Sequence, residues 1–327
     1  MNLRILRISG LVGFIAISSF SVAQRGPSDW PLWGDHPLLK KCIDALPKLR
    51  YAGIRRVTVQ DGRDNKSYTE RILRDGLNVR IEFPNDSPYA GQITIDTPEK
   101  RLQYLPGPNE IRQLGIRRSD WGRRPGGEGR PPRQAPKITY SVKSGQRIAG
   151  RKTTLLEMKI GDEQRLGQRL WIDQSKAMVL KREIYGGRGE SLGGFEFTSI
   201  KYDVRIPSNA FEINRPGAKL ITPIIELKRL ATEIGVNPLR INDKSFELTS
   251  SRKFQIEKVN IIRQSYWSKD GRISLFLSKS PIKNEWLKGP DADRFSVITG
   301  TRGSTYWVLM GEVKSEILKR LSTSLGV

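Results

Sequence analysis

The strongest constraint on this chain is the recurring alternation of apolar and polar residues between Tyr51 and Tyr202. In "LNVRIEF", Leu77, Val79, Ile81 and Phe83 take one side and Asn78, Arg80 and Glu82 the other. Successive side chains of a strand point to opposite faces, so such a run predicts a strand that is apolar on one face only. The pattern recurs with Val57 and Val59, Ile93 and Ile95, Leu102 and Tyr104, then Leu156, Met158 and Ile160, and Leu170 and Ile172. Beyond a turn at "QSKA", Met178, Leu180 and Ile184 share a side, and Arg182 breaks the pattern. Phe195 and Phe197 flank Glu196. The Asp61–Gly62 and Asp75–Gly76 steps fit hairpin turns. No strand–helix alternation appears here, so a long antiparallel sheet is predicted and a parallel one is not.

Two other segments frame the sheet. "HPLLKKCIDALPKL" predicts a helix over about Pro37–Leu49, with Asp35 as its cap and Leu38, Leu39, Cys42, Ile43 and Leu46 on one face. Residues 115–136 are rich in Gly, Pro and Arg, with almost nothing to bury. They read as a flexible basic loop, since strands resume beyond it. From about Leu220 a second module follows. The helical pattern "PIIELKRLATEIG" leads into several strand-like runs. A closing helix places Val313, Ile317, Leu318 and Leu321 on one face. The fold class is therefore α+β: a large curved antiparallel sheet with helices, then a smaller α+β domain. The expected division is a leader at 1–23, a larger domain at 24–218 and a smaller one at 219–327.

A one-sided sheet must cover its apolar face. Either it packs a filled core, or it curls and leaves a hollow for an apolar ligand. The residues that would line such a hollow are Leu77, Val79, Ile81, Phe83, Ile93, Ile95, Leu102, Tyr104, Leu156, Met158, Ile160, Leu170 and Ile172.

The leader sets the compartment. Arg4 and Arg7 precede the apolar run "ISGLVGFIAISSF", and small residues at Ser21 and Ala23 follow. This predicts an export signal cleaved after Ala23. The alternative is an uncleaved anchor, but the run is short for a span. Cys42 lies too far along for a lipid anchor. No further run in the mature chain approaches a membrane span. The net charge is +23. Export argues against a nucleic-acid partner and leaves anionic lipid, lipopolysaccharide phosphate, an acidic protein or a merely solvated surface. Arg117, Arg118, Arg123, Arg124, Arg130 and Arg133 are the candidates for steering an anionic head group. With one Cys and one His, an internal disulfide is excluded and Cys/His metal chemistry lacks ligands. No catalytic motif, metal site or cofactor site is read, so the chain is expected to bind rather than catalyse.

Three stretches carry a resemblance. The first is "LPKLRYAGIRRVTVQDGRDNKSYTERILRDGLNVRIEF", with Tyr51, Gly53, Glu70–Arg71 and Arg80. The second is "IAGRKTTLLEMKIGDEQRLGQRLWIDQSKAMVLK", with Ala149–Gly150–Arg151, Gly167, Leu170–Trp171–Ile172–Asp173 and Leu180–Lys181. The third comprises Asp270–Gly271 and "GTRGSTYWVLMGEVKSEILKRLSTSL", with Gly311–Glu312. In this order they resemble the MucB/RseB family of periplasmic regulators of the envelope-stress sigma factor, whose larger domain is similar to LolA-type lipoprotein carriers. The resemblance implies a periplasmic protein with a half-barrel for acyl chains and a smaller domain that helps hold the periplasmic segment of an anti-sigma factor. A lipid or lipopolysaccharide signal would release that partner. The alternative is a plain periplasmic carrier of lipid or lipoprotein.

Overall fold

A computed structural model describes residues 36–61, 64–115, 137–283 and 295–327. The predicted leader and the six loop arginines lie outside them. The first helix, α1, spans Pro37–Ala45 and is followed by a 3₁₀ turn at Leu46–Lys48, where Pro47 removes the next donor. Its cap is His36 rather than the expected Asp35: the Leu38 amide donates to His36 Nδ1 at 3.3 Å. The strands follow as β1 (Arg50–Asp61), β2 (Asp64–Asp75), β3 (Asn78–Glu82), β4 (Ile93–Asp96), β5 (Arg101–Leu105), β6 (Glu110–Leu114), β7 (Ile138–Ile148), β8 (Arg151–Ile160), β9 (Arg165–Asp173), β10 (Val179–Tyr185) and β11 (Ser191–Tyr202).

The chain forms two compact units. The first gathers the described residues of 36–93 and 137–211, and the second those of 94–115 and 212–327. Residues 94–115, expected with the larger domain, thus group with the second unit.

In the first unit eight strands form one antiparallel sheet in the order β3-β2-β1-β11-β10-β9-β8-β7. The alternation is the reason. Paired strands keep side-chain parity, so Ile81 stands opposite Ile72, Val57 opposite Tyr68 and Phe195, and Leu170 opposite Leu156. Bulges interrupt the pairing of β1 with β11, of β10 with both its neighbours, and of β8 with β9. Each adds a residue on one side and bends its strand, which curves the sheet. Gly76, at φ 59°, makes the β2–β3 turn with Leu77, a conformation that a residue with a Cβ rarely adopts. Leu77 is therefore a turn residue, 58% exposed, and not part of the strand face assigned to it from alternation.

The second unit holds the β5–β6 hairpin and β12 (Lys219–Ile221), which runs parallel to β6. Helix α2 (Pro223–Ile234) starts at Thr222, whose Oγ1 accepts from the Ile225 amide, and ends at Gly235 with φ 68°. These are standard N- and C-terminal stops for a helix. A short strand β13 (Arg240–Ile241) is followed by β14 (Glu247–Ile256), β15 (Val259–Ser268), β16 (Gly271–Ser278), β17 (Ser296–Arg302) and β18 (Thr305–Gly311). They make a five-stranded antiparallel sheet in the order β14-β15-β16-β18-β17. Helix α3 (Ser315–Thr323) and β19 (Leu325–Gly326) close the chain. Leu227, Leu230 and Ala231 of α2 and Leu318 and Leu321 of α3 join Ile262, Leu275 and Leu309 in one core. Val313 and Ile317 pack at its margin, so the closing helix presents the face predicted for it.

Candidate functional site

Parity sorts the first unit's sheet into two faces of different chemistry. The inner face carries the core: Tyr51 and Val57 of β1, Tyr68 and Ile72 of β2, Val79 and Ile81 of β3, and Phe197 of β11. Further along, Leu156, Met158, Leu170 and Ile172 are buried against Leu39 and Cys42 of α1, with Tyr140 and Ile138 at the edge. Most of the predicted lining thus lies buried on this face, in two clusters. Phe83 and Ile93 are buried as well and Ile160 is half-buried. Ile95, Leu102 and Tyr104 fall in the second unit, where Tyr104 donates to Asn109 Oδ1 at 3.0 Å and Arg215 lies over its ring. Leu77 is the outlying turn residue already described.

Helix α1 covers part of this wall. Cys42 sits 2% exposed beneath it, and burial pushes its thiol up to about 12. It is an apolar packing residue, as read from the sequence. His36, at the start of α1, stacks 4.9 Å from the Tyr140 ring.

The wall is not uniformly apolar, which the sequence reading missed. Arg55 and Glu70 are opposite each other on β1 and β2, with relative exposures of 5% and 1%. Arg55 Nε donates to Glu70 Oε2 at 2.6 Å, and the Arg55 guanidinium lies 4.9 Å over the Phe195 ring. Burial, with the Glu70 charge beside it, holds the Tyr68 hydroxyl well above the usual phenol range. Tyr68, Phe83 and Tyr89 pack ring against ring at 5.4–6.2 Å. Phe195 in turn is the cross-strand partner of Arg182, whose Nε donates to Gln168 Oε1 at 3.1 Å. Two polar pairs, Glu70–Arg55 and Arg182–Gln168, therefore interrupt the apolar wall on either side of the Phe195 ring. The signal was present in the sequence. Arg55 is two residues from Val57 and so shares its face, and Arg182 was the residue out of pattern.

The outer face bears ion pairs instead, from buried Glu157 to half-buried Lys181. Lys181 reaches Glu183 at 3.2 Å and Glu196 at 3.1 Å, and stacks over Trp171. Glu157 accepts from Lys143 at 2.7 Å, Arg169 at 2.9 Å and Ser141 at 3.1 Å, and these bonds, that from Lys143 first, lower its carboxyl to about 2. Among the described residues, no group of three His, Cys, Asp or Glu side chains could hold a metal ion, and no helix is long and apolar enough to cross a membrane.

Residues 131–214, which include β7 to β11, match the family model of the MucB/RseB N-terminal domain. This segment is similar to a MucB/RseB N-terminal domain. The match spans about a quarter of the chain and takes in Leu156, Leu170, Arg182 and Phe195 of the inner wall. Among solved structures, MucB in complex with MucA(peri) is 16% identical over 88% of this chain and 97% of its own, with a TM-score of 0.41. The MucA/MucB complex of Pseudomonas aeruginosa gives 15% identity over 92% and 98%, also at 0.41. A LolA superfamily protein from Nitrosomonas europaea gives 13% over 54% and 96%, at 0.27. No curated protein matches. The MucB/RseB assignment therefore rests on the segment 131–214.

Proposed function

We propose that this is an exported, periplasmic binding protein of the MucB/RseB kind rather than an enzyme. It would hold the periplasmic segment of an anti-sigma factor and respond to lipid or lipopolysaccharide acyl chains on its inner wall. The observation that carries the reading is the MucB/RseB N-terminal domain match over strands that build a one-sided apolar wall. The partner class follows that match together with the sequence resemblance, which extends to the closing strand and helix at Gly311–Glu312. The working division is a cleaved leader at 1–23, a half-barrel at 24–218 and a smaller domain at 219–327. The loop arginines would steer the anionic head group. An acyl chain on the wall contributes about 0.8 kcal/mol per buried methylene. It shifts partner binding only as far as its affinity differs between the free and partner-bound forms.

The test has two arms. Mature protein is mixed with the periplasmic segment of a membrane-spanning anti-sigma factor encoded beside its gene, and complex formation is measured by calorimetry. Lipid extracts of the purified protein are read by mass spectrometry. A stable complex that acylated lipid weakens supports the reading. Acyl chains without any complex would favour the second reading, a LolA-like carrier of lipid or lipoprotein. Neither complex nor bound lipid would end both.

A further inference from the structure

Among the described residues, eight large apolar side chains are exposed, and three of them fall within six consecutive positions: Leu220 at 52%, Ile224 at 39% and Ile225 at 45%. Exposed apolar residues scattered singly are ordinary, but a cluster in one short segment is not. All three belong to the second unit, where β12 runs into the first turn of α2.

The helix shows that core packing does not account for them. Leu227, Leu230 and Ala231 join the core and Ile234 packs at its margin. At about 100° per residue, Ile225 falls on the side away from these four. Lys228 lies one turn further along, between Ile224 and Ile225 around the helix axis. Polar residues normally occupy that side of a surface helix. Leu220 stands opposite half-buried Ile111 of β6, on a strand that ends its sheet.

The charges around these side chains are unequal. Residues 219–229 hold three cations, Lys219, Lys228 and Arg229, and one acid, Glu226. Arg229 takes Glu226 at 2.6 Å, and Arg112 takes Glu110, the residue opposite Lys219, at 3.0 Å. Lys219 and Lys228 are exposed, and neither pairs with an acid among the described residues. Three apolar side chains fall short of a stable protein interface, which buries about 800 Å² on each partner. Apolar tips between unpaired lysines suit a bilayer instead, where hydrocarbon lies just beneath anionic phosphates.

We propose that the β12–α2 corner is a peripheral docking site for an anionic bilayer surface. Leu220, Ile224 and Ile225 enter the head-group layer, and Lys219 and Lys228 meet lipid phosphates. The corner is distinct from the inner wall, so it stands independently of the acyl-binding reading.

The mature chain is mixed with vesicles of phosphatidylcholine, alone or with about one third phosphatidylglycerol, and bound protein is measured by co-sedimentation. The native chain should prefer the anionic vesicles by about tenfold. A chain this basic adsorbs to them through charge alone, so the decisive variant keeps the charge. I224S/I225S should bind anionic vesicles about tenfold more weakly than the native chain. K219Q/K228Q should lose about tenfold as well. V142S removes an exposed apolar side chain of the first unit and should bind as the native chain does. Near-UV circular dichroism confirms each fold. If I224S/I225S does not fold, I225S replaces it, with a loss of about threefold expected. Undiminished vesicle binding by the folded isoleucine variant would leave only general charge attraction and overturn the site, as would an equal loss in V142S. Unchanged vesicle binding with loss of the anti-sigma segment would make the corner a protein contact, and the proposal would fail.

Discussion

Arg55 and Glu70 meet at 2.6 Å within an aromatic and aliphatic wall, each less than a tenth exposed. Removing one partner strands the other charge where water does not reach it. Glu70→Gln or Arg55→Met is therefore expected to cost about 3–5 kcal/mol of folding free energy. The double variant Arg55→Met/Glu70→Leu should recover most of that loss. Urea unfolding of the three proteins measures it, and a double variant no better than the singles would show that the pair does more than satisfy itself.

Gly53 lies against the Phe197 ring. A Cβ there would stand 2.8 Å from Phe197 Cε1 and 3.0 Å from the Ser199 carbonyl oxygen. Gly53→Ala should destabilise by about 1–3 kcal/mol through overpacking. Adding Phe197→Leu should bring a combined loss smaller than the sum of the two, the mark of residues in contact. Additive losses would mean that the backbone moves instead of the ring.

Glu157 links stability to acid. Its folded value, about 2, is below the ordinary Glu value. The group's contribution is complete above the unfolded value near pH ~4.3 and is lost as pH falls toward the folded one. Glu157→Gln should lower stability at pH 7 by about 1–2 kcal/mol, discounted because Lys143 is largely exposed. The difference from the native chain should close between about pH 4.5 and pH 2. Acid titration of the unfolding midpoint tests it, and a gap that stays constant over this range would refute it.

Thr222 caps α2 by accepting the Ile225 amide at 3.3 Å, with Pro223 in the first helical turn. Thr222→Ala should cost about 1 kcal/mol and Thr222→Ser much less. Hydrogen exchange of the first α2 amides should rise in the alanine variant alone. Equal protection in all three would show that the core around Leu227 and Leu230 holds that turn without its cap.

Much of this fold was written in the period of two. Val79–Ile81, Leu156–Met158 and Leu170–Ile172 were placed correctly on one face because a strand leaves no other choice. The chemistry that gives no periodic signal was missed. Leu77 continues the alternation but follows Gly76, and the turn took it out of the strand. Asp35 was the better capping residue by type, yet His36 is the residue that caps α1. The Arg55–Glu70 pair escaped because charge is ordinarily assigned to solvent. Parity had already put Arg55 beside Val57, and only the pairing of β1 with β2 supplied its partner. The compact units could not be read either, since the hairpin at 101–114 alternates like the strands on both sides of it.

Cys42 is the lone sulfhydryl of the chain, and α1 holds it against Leu156 and Leu170. Nature has thus left a single chemical handle inside the greasy wall. A spin label or fluorophore attached there would report when that wall is uncovered. On the acyl-binding reading proposed above it would also compete with a hydrocarbon tail, so the same reaction would serve as both gauge and block.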